Sequence, residues 1–313
     1  MLYRRHIAAS VAVGLLGAAV LMPVKAVYAE QDQSQQQKEA VEQQTRKQTE
    51  QDRKAVIKEA VQAVRFTRDA LTALDNDNTD KTLKKLEEAS GKLDIVLARN
   101  PELALAPVDV QATTYDIHSQ IEDVRKARER AENLLEDGKV QQARAVMETL
   151  ASETVIETTN IPLQTYPDAI RRVVALIDEG KTKKAKRLLQ STLNTLVVTE
   201  RAIPLPLIAA RQMLDKSQKL AEKSDRSDKE DKRLSELLSS IRKEINFAQA
   251  LGYGKEKDFQ KFYGELDKIE AETEGGAGET GLFDTIRDKL DSMFAHNRTS
   301  GQNKTSRKAG DNG

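Results

Sequence analysis

LLEDGKVQQARAVMETLASETVIETTNIPL, residues 134–163, returns 42 positions later as LIDEGKTKKAKRLLQSTLNTLVVTERAIPL, residues 176–205, without a gap. Leu134, Gly138, Lys139, Ala143, Val155, Ile161, Pro162 and Leu163 have identical counterparts at Leu176, Gly180, Lys181, Ala185, Val197, Ile203, Pro204 and Leu205. A repeat of this length predicts helical pairs that stack because no single pair can bury its apolar face. Gly138 and Gly180 stand where a helix must end in a left-handed residue, which glycine adopts without a Cβ clash. The β-branched runs Thr154-Val155-Ile156 and Leu196-Val197-Val198 are compatible with either a helix end or a short extended segment.

Outward from the repeat, apolar residues keep helical spacing. Val56, Ile57, Ala60, Val61, Val64, Leu71 and Leu74 mark one amphipathic helix that stops at Asp75-Asn76-Asp77-Asn78. Leu83, Leu86, Leu93, Val96 and Leu97 mark its partner, which ends before Asn100-Pro101. Residues 100–116 contain two prolines and the alternation Val108-Asp109-Val110-Gln111, a long connection with room for a short strand. Beyond the repeat, helices are expected around Leu207–Leu220 and Leu234–Ile245, and a last core helix over 256–271 with Phe259, Phe262, Leu266 and Ile269. The expected fold is therefore all-α: stacked antiparallel helical pairs, with minor short strands allowed in the connections.

Residues 1–29 have the pattern of a signal peptide: Arg4 and Arg5, an apolar run from Ile7 to Met22, Pro23, and Val27-Tyr28-Ala29 before a cleavage expected ahead of Glu30. The run is shorter than the roughly 20 residues a spanning helix needs. Cleavage predicts a periplasmic protein and takes away Arg4, Arg5 and Lys25 with no acid, leaving 47 basic against 50 acidic residues. Opposite charges are interspersed, which argues against a nucleic-acid surface. With no cysteine in the chain, an exported protein must be held by packing alone. Residues 30–52 read as a Gln-rich flexible leader, 53–272 as the helical domain, 273–281 as a Gly-rich linker, and 296–313 as a disordered tail.

Chemistry is sparse. His118 and His296 lack metal-ligand spacing, and no nucleophile elbow, phosphate loop or dinucleotide fingerprint occurs, so no catalytic residue, metal or cofactor is expected. Glu153 and Glu157 read as solvated charges on a helix face. Tyr115, Tyr166 and Tyr253 lie at helix boundaries, where a tyrosine anchors a loop or lines a small-ligand groove. Residues 282–295 place Leu282, Phe283, Ile286, Leu290, Met293 and Phe294 on one helical stripe, a face for the body of the protein, a partner or a membrane.

Several ordered motifs resemble the YfdX family of bacterial proteins: Thr158–Leu163, Thr165–Ile170, Leu193–Arg201, Ile203–Leu207 and Ala248–Gly254, within residues 52–271. The resemblance implies a helix-rich, exported, stress-associated protein that forms homo-oligomers, linked to acid and drug tolerance and to chaperone-like behaviour. It implies no catalytic residues. The expected function is a non-enzymatic periplasmic stress-response protein that binds partners such as unfolded clients. In acid, loss of carboxylate charge is expected to loosen ion-paired faces and expose apolar stripes. Two other readings stand beside it: sequestering of small apolar ligands, and an envelope-associated structural role through the C-terminal amphipathic helix.

Overall fold

A computed structural model describes residues 24–273 and 280–302. The chain divides into two units, residues 1–39 and 40–313; from Val24 the first consists of the N-terminal part of a helix, and the second carries the rest of the fold. The elements are α1 (Val24–Lys54), α2 (Lys58–Asp75), α3 (Thr79–Arg99), β1 (Leu105–Tyr115), α4 (Ile121–Glu136), α5 (Val140–Met147) and β2 (Glu153–Pro162). Then come α6 (Tyr166–Asp178), α7 (Thr182–Leu193), β3 (Val197–Pro204), α8 (Leu205–Ala221), α9 (Asp228–Leu251), α10 (Glu256–Thr273) and α11 (Thr280–Gln302). The chain is mainly helical with one small sheet, as expected.

The sheet gives the repeat its meaning. Both β-branched runs are strands, so the repeating unit is two helices and a strand: α4–α5–β2, then α6–α7–β3. The strands pair antiparallel in the order β1-β2-β3. Successive connections between antiparallel neighbours leave from opposite ends of a sheet. The pair α4–α5 therefore joins one end and α6–α7 the other, in place of the expected stacking of one pair on the next. Each Ile-Pro-Leu closure has a bonding role. Leu163 N–H donates to Ala104 O at 3.0 Å, and Leu205 N–H to Ser152 O at 2.9 Å, so each closure ties to residues just ahead of the neighbouring strand. The corners repeat as well. Gly138 and Gly180 have φ of 72° and 70°. Lys139 N–H reaches back to Leu134 O and Lys181 N–H to Leu176 O, both at 2.8 Å, the bonding of a Schellman cap.

Two helical cores flank the sheet. Small residues on α2 (Ala60, Ala63, Ala70) let α3 approach with Leu86, Leu93 and Val96, and α6 and α7 add Ile170, Val173, Ile177 and Leu189. The other core joins α8, α9, α10 and α11 through Leu214, Leu238, Ile241, Phe259, Phe262, Phe283 and Leu290. Alternation along the strands sends Val110, Ile156 and Ile203 to one sheet face, where Ile208, Val41 and Phe294 cover them.

Two boundaries differ from expectation. Residues 30–52 lie inside α1, and the part from Ala40 is packed: Val41 touches the core, Thr45 and Thr49 are buried, and Asp52 pairs with Arg201 of β3. Its polar composition hid a face that needs few large apolar side chains. The C-terminal helix continues to Gln302, past the expected start of the tail at 296. The expected signal segment up to residue 23, linker residues 274–279 and tail residues 303–313 lie outside the described residues. Among the described residues, no helix is long and apolar enough to cross a membrane.

Candidate functional site

The second sheet face is open. Antiparallel register puts Tyr115 opposite Glu153, Gln111 opposite Glu157, Glu157 opposite Glu200, and Thr159 opposite Val198. Directly opposed residues share a face. Tyr115, Gln111, Glu157, Val198 and Glu200 are exposed and Val155 is half-buried. The two glutamates stand side by side on adjacent strands, a like-charge pair that weakens the sheet while both are ionised. Glu153 and Glu157 thus belong to a strand and not to a charged helix face, because the β-branched residues around them favour extended backbone.

At one end of this face lies a cluster of polar groups. Gly252, at φ 82°, caps α9, and the N–H of Tyr253 returns to Ala248 O at 3.0 Å. This reversal turns the Tyr253 ring toward the start of β2. There its hydroxyl accepts the Ser152 backbone N–H at 2.9 Å and hydrogen-bonds the Glu153 carboxylate. A Cβ on Gly254 would meet the Phe259 ring at 3.0 Å, so that glycine lets α10 close against the turn. Ser152 Oγ donates to Asp116 Oδ1 at 2.9 Å, and His118 Nδ1 lies 3.6 Å from Asp116 Oδ2. Glu244 of α9 completes the group, facing Asp116.

Burial and the neighbouring Asp116 charge push the Glu244 carboxyl up to about 7. Burial, with Glu153 second, also pushes the Tyr253 hydroxyl up. Asp116 stands between Ser152 and His118, so the serine proton goes to a carboxylate and not to an imidazole. That order does not build the serine–histidine relay of a nucleophile. Among the described residues, no three His, Asp or Glu side chains are grouped to hold a metal.

The three tyrosines do not line one groove. Tyr115 is half exposed at the end of β1, close to the Tyr253 cluster. Tyr166 is fully enclosed beside Thr67 among α2, α3, α6 and α7, and burial pushes its hydroxyl up. A shallow groove runs along α4 past Lys126, Glu129, Arg130, Asn133, Leu134 and Asp137, away from every one of them. The stripe on α11 is covered: Phe283, Ile286, Leu290 and Met293 are buried against the body, with Leu282 and Phe294 packed at the margin. Sequence reasoning passed over Asp116, Ser152 and Glu244. Their signal was the Gly252-Tyr253-Gly254 turn, which marks a forced chain reversal without naming what it meets.

Residues 63–202 match the family model described as YfdX protein, from within α2 into β3, which takes in the first copy of the repeat and the second as far as Ala202. The match is narrower than the expected span of 52–271 and leaves out Glu244 and Tyr253. Among solved structures, the chain is similar to YfdX of Salmonella Typhi. Identity is 18%, 48% of this chain and 93% of that one are covered, and the TM-score is 0.34. No curated protein matches.

Proposed function

Because this chain belongs to the YfdX family through residues 63–202, we propose that it is a non-enzymatic, exported stress-response protein that binds other chains in acid while keeping its own fold. The observation that carries the reading is a half-buried carboxyl that favours its neutral form, in a polar cluster at one end of an open sheet face. Half-buried Glu244 prefers its neutral form inside the fold, so mild acid relieves a poorly solvated charge. On the open sheet face, Glu157 of β2 stands directly opposite Glu200 of β3. Tyr115, Val155 and Val198 share that face and give it apolar side chains in reach of a bound chain.

This reading reverses one expectation. The sequence leads one to expect that acid loosens ion-paired faces, yet many of the pairs, Arg46–Glu42 and Arg144–Glu148 among them, are exposed on the surface, where each contributes little. A fold that tightens at Glu244 while its sheet face stays open suits binding in acid better than a fold that falls apart. Sequestering of small ligands has less support, because Tyr166 is sealed in the core. An envelope role through α11 has less support, because its stripe is already covered.

The test is the aggregation of an acid-sensitive client followed by light scattering at pH 4 and pH 7. Slower aggregation in the presence of the protein is expected at pH 4, and a Tyr115→Lys/Val198→Lys chain, which stays charged at that pH, should lose the effect. Equal aggregation rates at pH 4 with and without the protein would overturn the proposal.

A further inference from the structure

The sheet sorts its charges by face. Its acids are Asp109, Glu153, Glu157 and Glu200, and its only base is Arg201. The register and the alternation of side chains put all four acids on the open face. Arg201 lies opposite Ile156 on the covered face, where it donates to Gln48 Oε1 at 3.1 Å and pairs with Asp52. Glu153 is taken up by the Tyr253 hydroxyl. Among the described residues, no cation pairs with Asp109, Glu157 or Glu200. Glu157 and Glu200 stand directly opposed and exposed, a like-charge contact that costs the sheet stability. Along the strands, half-buried Val155 lies on one side of this acid pair and exposed Val198 on the other.

We propose that this face takes an extended polypeptide segment in which basic side chains alternate with apolar ones along one side. The proposal rests on the reading of the open face as a docking surface for chains, and it adds which chains are taken. Spacing supports this occupant. Same-side residues recur roughly every 6.6 Å in a strand and in an extended guest alike. A guest with a lysine flanked two residues away on each side by valine therefore sets its ammonium over Glu157 and Glu200. Its valines then meet Val155 and Val198. One cation between the two carboxylates offsets a repulsion that the protein leaves uncompensated inside its own chain. An acidic segment would bring a third negative charge to the same point, so the face discriminates by rejection as well as by attraction.

Fluorescence anisotropy of the full chain at pH 7 tests the proposal with two labelled peptides. One repeats Val-Thr-Lys-Thr three times, and the other carries Glu in place of each Lys. The lysine peptide should bind at least ~5-fold more tightly at low salt, and the advantage should shrink at high salt. Glu157→Gln/Glu200→Gln should erase the preference, and Glu157→Lys/Glu200→Lys should invert it. The glutamine variant should unfold in urea no earlier than wild type, because a repulsion is lost. Equal affinity of wild type for the two peptides would overturn the proposal, as would a preference that survives in the glutamine variant. If both peptides bind equally and client aggregation at pH 4 is still slowed, selection by charge falls and the broader reading of chain binding stands. If neither peptide binds and aggregation is unaltered, both fall.

Discussion

The backbone N–H of Ser152 donates to the hydroxyl of Tyr253 at 2.9 Å, across 101 positions of sequence. This bond ties the start of β2 to the cap of α9. It joins the part of the chain that carries the repeat to the helical core built by α8 to α11. The same serine receives Leu205 N–H on its carbonyl and gives its hydroxyl proton to Asp116, so one buried residue serves three elements. Disturbing that point should weaken the fold more than its single hydrogen bonds suggest.

Tyr253→Phe keeps the ring and removes the acceptor, leaving the buried Ser152 N–H unpaired. Such a loss costs about 1–3 kcal/mol. Urea denaturation should show a lower midpoint with an unchanged slope, since the surface exposed on unfolding stays the same. A midpoint equal to wild type would mean that Ser152 finds another acceptor.

Two glycine substitutions should act in opposite directions. Gly252→Ala forces a Cβ into the left-handed conformation that caps α9 and should destabilise by about 1 kcal/mol. Gly91→Ala, inside α3 with open space around the added methyl, should stabilise by about 0.5–1 kcal/mol. Thermal denaturation of both variants side by side checks the pair of signs.

The Glu244 carboxyl should give stability a pH slope near neutrality. Its folded pKa of about 7 lies above the ordinary 4.5, so the folded state holds a proton that the unfolded chain releases. Its contribution is complete below 4.5, declines as pH rises, and is gone above about 7. The facing groups are Asp116 before α4, with Ser152, Glu153 and Tyr253 around it, Arg125 bonded to Asn246, and Lys243 exposed on the same helix. Glu244→Gln should flatten the slope between pH 5 and 7, as read from urea midpoints. Glu230 has the opposite sign. Lys223 and the Ser227 cap hold it down at about 2, so its stabilisation is present above 4.5 and lost only as pH falls toward 2.

The helices were legible because their apolar spacing survives in the sequence; α2, α3, α9 and α10 form where the Leu, Val and Phe stripes predicted. The strands were harder. Thr154-Val155-Ile156 and Leu196-Val197-Val198 suit extended backbone, but a single strand gains nothing until neighbours pair with it, and pairing between distant segments leaves no local trace. The opposite placement of α4–α5 and α6–α7 followed from that pairing, so a repeat that read as a stack became a meander with hairpins at both ends. The cluster of Asp116, Ser152, Glu244 and Tyr253 was illegible for the same reason: its members come from separate segments. Of the four, Tyr253 alone carries a local mark in the sequence, because two flanking glycines betray a forced turn.

The stripe on α11 tests whether a clean amphipathic helix meets a membrane or its own chain. Phe283, Ile286, Leu290 and Met293 are buried in the core that contains Leu214 and Phe262, while Arg211 pairs with Asp291 and Arg287 bonds Asp215 at 3.2 Å along the margins. A helix docked so should behave as core. Leu290→Ala is expected to cost about 2–5 kcal/mol, the range for removing a fully buried leucine side chain. Asp284→Ala, on the exposed side, should stay within about 0.5 kcal/mol of wild type. Neither should change co-sedimentation with anionic vesicles at neutral pH. If Leu290→Ala leaves the denaturation midpoint untouched yet lowers vesicle binding, the stripe faces lipid in solution and the packing against α8 and α10 is not its resting place.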